Sequence, residues 1–421
     1  MMENLLIEQV RVVDPANGRD EICDFVVRDG RVQDPGRDVS GLRRIDGRGK
    51  LLAPGFWDVH VHFRDPGNPA AETMQTGAAA AAAGGFTHVV TMPNTAPAGD
   101  SVEWLRNQIE ADLPVRIHPS CCATRGRLGK EPADLETLAA AGAAAFTDDG
   151  AMVADDALMR GAMVIAKAHR LPVMDHAVVP SIAGPGVVRD CPAARKYGWP
   201  VFPAEAELAA VRRDIRLCEE TGCATHIQHL SCAGSVAMIR DARSRGLPVT
   251  AEATPHHMAL AAEDIPDDDG NYRMNPPLGT RNDVLAIREG VMDGTLSVFA
   301  TDHAPHAPET KCRGFMKAPF GIIGLETAVG VTWKIMVEAC GMRVMDWVRG
   351  WTVAPAILLG LDVPSLSPGR LADMVLIDLE HPWVVMPDEF KSKSRNTPFA
   401  GWQLPVKPIN TWLAGKSNGC R

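Results

Sequence analysis

The stretch Asp58-Val59-His60-Val61-His62-Phe63-Arg64, three residues past the Pro54-Gly55 turn, decides how this chain is read. Side chains alternate faces along an extended strand, so His60, His62 and Arg64 share one side. Two imidazoles on one face can share a metal ion, although a His-x-His pair is equally at home in a core. The weight therefore falls on what the rest of the chain supplies. From Gly55 onward β-rich segments at 55–62, 86–93, 115–121, 143–149, 171–176, 224–230, 249–255 and 297–303 alternate with helix-like ones at 71–83, 102–111, 155–170, 204–221, 233–245 and 281–293. This alternation predicts an α/β fold, a (β/α)8 TIM-like barrel over 54–365 with its chemistry at the C-terminal ends of the strands.

Metal-type residues fall at those ends. His60 and His62 end the first strand, Asp148 and Asp149 the fourth, His176 the fifth, His229 the sixth and Asp302 the eighth. A catalytic zinc takes nitrogen and oxygen ligands and keeps a position open for water. On alternation, Asp148 points away from Asp149 and makes a structural hydrogen bond. His226, three residues from His229, faces the opposite side. His88, His118, His169 and the His256-His257 pair read as core or surface histidines, and His303 as a hydrogen-bonding neighbour of the site.

The flanks differ in style. Residues 1–53 and 366–421 carry alternating strands with turn signals at Asp14-Pro15-Ala16-Asn17-Gly18 and Arg28-Asp29-Gly30, and read as one composite β-sandwich built from both ends. With 421 residues, 46% apolar and 23% charged, the chain can bury one barrel-sized core with a small satellite. A net charge of −9 argues against nucleic acid, and no apolar run approaches a membrane span. Ten cysteines without a Cys-x-x-Cys motif or regular framework point to free packing thiols in a reducing cytoplasm. The segment 307–324, rich in Gly and Pro after the last barrel strand, has the character of a lid.

Beyond these patterns the chain resembles the amidohydrolase superfamily, and within it the dihydroorotases of the bacterial class I type. The resemblance is carried by His60-Val-His62-Phe-Arg64-Asp-Pro-Gly67, Thr91-Met-Pro-Asn94-Thr, Phe146-Thr-Asp-Asp149-Gly, Met274-Asn275-Pro-Pro-Leu, Thr301-Asp302-His-Ala-Pro-His306, Pro319-Phe-Gly-Ile-Ile-Gly-Leu-Glu326-Thr and Ser394-Arg-Asn-Thr-Pro-Phe399. It implies metal binding by His60, His62, Asp149, His176 and His229, with Asp302 as a metal-proximal acid/base, and one or two Zn2+ per subunit. It also implies substrate contacts from Arg64, Asn94, Asn275 and His306, and from the backbone of Phe320 and Gly321. Hydantoinases, dihydropyrimidinases and allantoinases carry a carboxylated lysine where this chain has Asp148-Asp149. After His176 the family usually continues Cys-Glu-Asp, whereas here Ala177-Val178-Val179 removes an acidic neighbour.

The activity implied is reversible zinc-dependent hydrolysis of (S)-dihydroorotate to N-carbamoyl-L-aspartate, the third step of pyrimidine synthesis. Two alternatives stand beside it: a related cyclic-amide hydrolase of the dihydropyrimidinase, hydantoinase or allantoinase kind, and a non-catalytic dihydroorotase-like subunit of aspartate carbamoyltransferase. The implied partners are a small anionic substrate, a second copy of the chain and a carbamoyltransferase.

Overall fold

The computed structural model describes residues 2–34, 36 and 39–418. Positions 1, 35, 37, 38 and 419–421, which fall within the flanks expected to join, lie outside the described residues. Strands from both chain ends pair in one mixed sheet of eight, ordered Lys416–Ser417, Lys407–Leu413, Met374–Asp378, Lys50–Pro54, Leu5–Asp14, Arg19–Arg28 and Arg31–Gln33, with Arg43–Asp46 also on Leu5–Asp14. Met374–Ile377 is a continuous buried apolar run because it lies between two neighbours, and it pairs antiparallel with both. The turn at Arg28-Asp29-Gly30 forms where the sequence signals it. Gly30 sits at φ 72°, and a Cβ there would lie 2.5 Å from the Ala414 carbonyl oxygen, so only glycine fits.

The second body is built from parallel strands with helices between them. Phe56–Val61, Phe86–Thr91 and Arg116–Ile117 pair in one arc, and Ser120–Cys121, Ala145–Phe146, Val173–Asp175, Thr225–Ile227, Val249–Ala253 and Val298–Phe299 in another. The break falls inside the third predicted strand, at His118-Pro119, where proline has no N–H to give the ladder. On the other side a parallel bridge joins Val61 to His303, and the His62 amide donates to the His303 carbonyl at 2.8 Å. The buried Asp58 carboxylate adds to this seam by accepting from the Thr301 amide at 3.1 Å and its hydroxyl at 2.5 Å.

All six expected helices form, as Met74–Ala83, Val102–Ile109, Asp156–Ala168, Glu205–Thr221, Ala233–Ser244 and Arg281–Met292, and a further one at Leu135–Ala141 fills the gap between the third and fourth strands. The alanine-rich Met74–Ala83 helix packs flat in the main core because its small side chains let the backbone come close. Observed strands are shorter than the predicted segments. The residues past their ends leave extended geometry, with His229 at φ 31° and Asp302 at φ 49°.

The junction of the helix Met74–Ala83 with the next strand is tight, since a Cβ on Gly84 would sit 2.2 Å from the Leu325 backbone oxygen. Gly84 has φ −79°, so the constraint is space and not backbone conformation. Gly84→Ala is therefore expected to destabilise the protein by about 1–3 kcal/mol through overpacking. A thermal midpoint equal to the parent's would show that this contact yields freely.

Candidate metal centre and active site

Six side chains from five strand ends converge. His60 Nε2 lies 3.2 Å from Asp149 Oδ1 and 3.6 Å from Asp302 Oδ1, while His62 Nε2 lies 3.0 Å from Asp302 Oδ1 and 3.5 Å from Asp149 Oδ2. His176 Nδ1 is 2.8 Å from His229 Nε2 and 3.9 Å from Asp149 Oδ1. Two trios bring their ligand atoms within 4.8 Å of one another, His60-Asp149-His229 and His60-His62-Asp302. His176 belongs to neither trio and stands at their edge.

The donor set fits a cation. His60 Nδ1 donates to the buried Glu252 carboxylate at 2.6 Å, and His62 Nδ1 donates to Asn94 Oδ1 at 2.9 Å. In its neutral form each imidazole would therefore turn its remaining lone pair toward carboxylate oxygens, an arrangement that repels unless a positive charge lies between. His60 Nε2, Asp149 Oδ1 and His229 Nδ1 are buried without a hydrogen-bond partner, and all three belong to one trio. Burial works to lower the pKa of His60, but Glu252, Asp149 and Asp302 outweigh it and raise it well above the ordinary value. The same attraction holds the buried Asp149 and Asp302 below the usual carboxylate range, against burial. A proton on His60 answers part of this demand, and a metal ion held by imidazole and carboxylate answers it fully.

A cavity of about 310 Å3 opens beside the set, and Arg64, Asn94, Asn275, His306, Phe320 and Gly321 all line it, together with His62, Asp149, His176, His229 and Asp302. This volume lies at the small end of the roughly 300–1,000 Å3 common for ligand sites. Arg64, at φ 58°, rests its Nε on the Pro305 carbonyl at 3.3 Å, and burial lowers its pKa. Asn275 donates to His176 Nε2 at 2.9 Å, and Asn94 to Asp149 Oδ2 at 3.3 Å. Burial, and then Arg64, push His306 down to about 3, so it is uncharged at neutral pH, and its Nε2 meets the Phe320 carbonyl at 2.6 Å.

Among eight non-glycine residues with positive φ in the described chain, Arg64, His229 and Asp302 all belong to this site. Such backbone costs roughly 1–3 kcal/mol per residue and persists where the surroundings impose it. Asp148 faces elsewhere, accepting from the Thr124 amide and hydroxyl.

Three contributors escaped the sequence reading. Glu252, fully buried on Val249–Ala253, accepts from His60, from His226 Nε2 at 3.0 Å and from the His229 amide at 2.9 Å. His226 is thus not turned away from the site but stands one layer beneath it; its strand ends at Ile227, so alternation does not reach His229. Arg127 donates to the Asp148 and Asp149 carbonyls at 3.3 and 2.8 Å. Lys311, buried, donates to the carbonyls of Arg273, Pro319 and Gly321 at 3.1, 2.9 and 2.8 Å, and pins residues 319–321, which wall the cavity. A lone glutamate in the small apolar run Val-Thr-Ala-Glu-Ala was the available signal for Glu252, since a buried charge needs a partner. No local pattern announces Arg127 or Lys311.

The Amidohydrolase family profile matches residues 51–417. The chain belongs to that family, whose members depend on metal ions. Its relatives place it more narrowly: it is 44% identical over 381 residues to the dihydroorotase of Geobacillus thermodenitrificans, covering 90% of this chain and 89% of that one. To the dihydroorotase of Bacillus cytotoxicus it is 42% identical over 398 residues, 93% of each chain. It is therefore a member of the dihydroorotase family. The fold is also that of L-hydantoinase (dihydropyrimidinase) from Arthrobacter aurescens, with a TM-score of 0.84 over 99% of this chain and 96% of that one at 22% identity. D-hydantoinase from Thermus sp. matches with a TM-score of 0.83 over 98% and 94% of the two chains at 21% identity.

Removing the three Lys311 bonds takes a donor from the Pro319 carbonyl, while the Arg273 carbonyl keeps the Gly321 amide and the Gly321 carbonyl keeps Asn396 Nδ2, and it loosens the wall that carries Phe320 and Gly321. Lys311→Met is expected to raise KM several-fold, by roughly 1 kcal/mol or more in binding, with a smaller change in kcat. Steady-state kinetics on the purified variant check this, and an unchanged KM would show that the loop holds without the clasp.

Proposed function

We propose that the protein hydrolyses (S)-dihydroorotate reversibly to N-carbamoyl-L-aspartate. The observation that carries the reading is one arginine, Arg64, placed in a small polar cavity against the imidazole and carboxylate set. A dihydroorotate ring carries a single carboxylate, and a guanidinium grips such a group by two parallel bonds. The family relationship supports the same substrate.

His60, His62, Asp149, His176 and His229, with Asp302 beside them, would hold zinc, one or two ions per subunit. When bound, zinc lowers the pKa of a water toward about 7 and polarises a carbonyl. The remaining work falls to the chain's own groups. Arg64 fixes the ring carboxylate, while Asn94, Asn275 and uncharged His306 surround it with neutral polar groups. The Phe320-Gly321 wall closes one side. Held this way the ring carbonyl has one face toward Asp302, and orientation contributes to the rate. An Asp302 carboxylate oxygen accepts the proton of the attacking water as the carbon–oxygen bond forms, then delivers it to the ring nitrogen as the carbon–nitrogen bond breaks. Cyclisation runs the same transfers backwards, with Asp302 taking the proton from the ureido nitrogen.

The reading extends to a reducing cytoplasm, in keeping with nine free cysteines among the described residues, six of them buried. A homo-oligomer and an aspartate carbamoyltransferase partner rest on family resemblance alone; co-elution of the two purified proteins on size exclusion tests the second. Retention of the metal-ligand set speaks against a non-catalytic subunit.

Three measurements test the proposal. Chelation is expected to abolish turnover, and His60→Ala or His229→Ala to strip zinc by elemental analysis; full zinc with full turnover in either variant rejects the ligand assignment. Asp302→Asn is expected to lower kcat by roughly 10²-fold or more with the fold intact by circular dichroism, and near-normal turnover rejects its role. Arg64→Lys is expected to weaken dihydroorotate binding sharply, because a point charge cannot reproduce the planar fork. Faster hydrolysis of dihydrouracil or hydantoin by the parent protein, with Arg64→Lys leaving all rates unchanged, moves the assignment to a dihydropyrimidinase-like enzyme.

A further inference from the structure

A larger cavity, about 720 Å3, lies at the other end of the strands, where Trp57, His88, Arg116 and His118 meet Arg31, residues 360–362 and 364–365, and residues 369–371 and 373 of the turn that leads into the terminal sheet. Its volume falls within the range of small-molecule sites, and junctions between structural units are where such sites occur. Trp57, His88 and Arg116 are cross-strand partners on three adjacent strands, so they form one row on one face at the strands' beginnings.

Residues at that end of a barrel ordinarily serve packing, and apolar side chains would suffice for it. The composition here is different. The rings of Trp57, His88 and His118 lie nearly parallel, with centroids 4.1 Å apart for Trp57 and His88 and 5.3 Å apart for the two histidines. Three guanidinium groups surround them. Arg116 is matched by Asp373 at 2.5 Å and also donates to His88 Nε2 at 3.3 Å. Arg31 donates to the Gly369 carbonyl and Arg370 to that of Val363, and five N–H groups on each guanidinium leave donors to spare. Asp362 also lines the cavity, so three arginines face two carboxylates.

A second, independent observation comes from the polar atoms. Trp57 Nε1 and His118 Nε2 are buried without a hydrogen-bond partner, although Trp57 and His118 both line the cavity. An unpaired buried donor costs free energy that a bound acceptor would return. Burial, and then Arg116, hold His118 down to about 4, and burial with His118 and Arg116 lowers His88 further, so both rings are neutral and the positive charge resides on the arginines.

We propose that this cavity is a second ligand site, separate from the catalytic one, which takes a small organic anion of mononucleotide size. Arg31 and Arg370 bind its phosphate, guanidinium groups being suited to paired bonds with phosphate oxygens. Its planar ring lies along the Trp57, His88 and His118 group, and an acceptor atom on it meets the Trp57 N–H. The site stands on the same Phe56–Val61 strand that carries His60 at its far end, yet shares no lining residue with the catalytic cavity.

The test is calorimetric titration of the metal-loaded protein with AMP and with UMP, beside inorganic phosphate and adenosine. At least one nucleotide is expected to bind with a Kd of about 1 mM or tighter, and phosphate or adenosine alone about tenfold more weakly or worse. Binding is expected to survive Arg64→Lys. The double variant Arg31→Ala/Arg370→Ala, at exposed positions, is expected to weaken it by about tenfold or more while basal hydrolysis stays unchanged. Trp57→Phe, which keeps a ring and removes the N–H, is expected to weaken it as well. No saturable binding of either nucleotide at about 10 mM overturns the proposal. So does phosphate binding as tightly as the nucleotides, affinity indifferent to the double arginine variant, or binding lost in Arg64→Lys.

Discussion

The Glu252 carboxylate is the contact on which the candidate metal centre rests. Removed wholly from water, it accepts from His60 Nδ1, His226 Nε2 and the His229 amide, and so joins three strands beneath the cavity. An isolated carboxylate in such a place would cost several kcal/mol, and only this complete set of donors makes it tolerable. Burial acts to raise its pKa, and the two imidazoles reverse that and lower it. In return it fixes the proton of His60 on the nitrogen away from the cavity, leaving the other nitrogen free to bind a cation. The carboxylate also holds the His229 backbone in its left-handed turn. Fold and ligand geometry are thus one constraint seen from two sides.

How much of this was readable in the sequence follows from how local each signal is. The alternation of strands and helices announced the barrel units, since each needs its own apolar pattern to be stable, and six helices form within a few residues of their predicted spans. His60 and His62 were visible because strand periodicity puts them together. Asp149, His176, His229 and Asp302 came from their places at strand ends and from family resemblance. Strand lengths were overread because composition does not reveal where backbone turns out of the ladder to aim a side chain. Pro119 did mark one such break.

What stayed hidden was support. Glu252, Arg127 and Lys311 act on groups far away in sequence, and nothing beside them in the chain marks their targets. Lys311 shows the difficulty well: in the sequence it is an ordinary charged residue in a polar loop, yet it is buried on three carbonyls, where burial lowers its pKa to about 7. His226 shows the opposite error. An alternation rule applied past the end of its strand turned away a residue that sits directly under the site.

The left-handed backbone at Arg64, His229 and Asp302 bears on the protein's ancestry and descent. If these residues do the work proposed for them, each position is held against its own conformational preference by the need to present a side chain, and selection for turnover would keep it in place. A gene copy released from that selection could replace them with glycine or asparagine, which accept such φ values more readily, and its product would become sturdier as it became inert. Sequence drift toward those two residues at these three sites, in a chain otherwise intact, would therefore be the mark of a descendant that has given up chemistry and kept the scaffold.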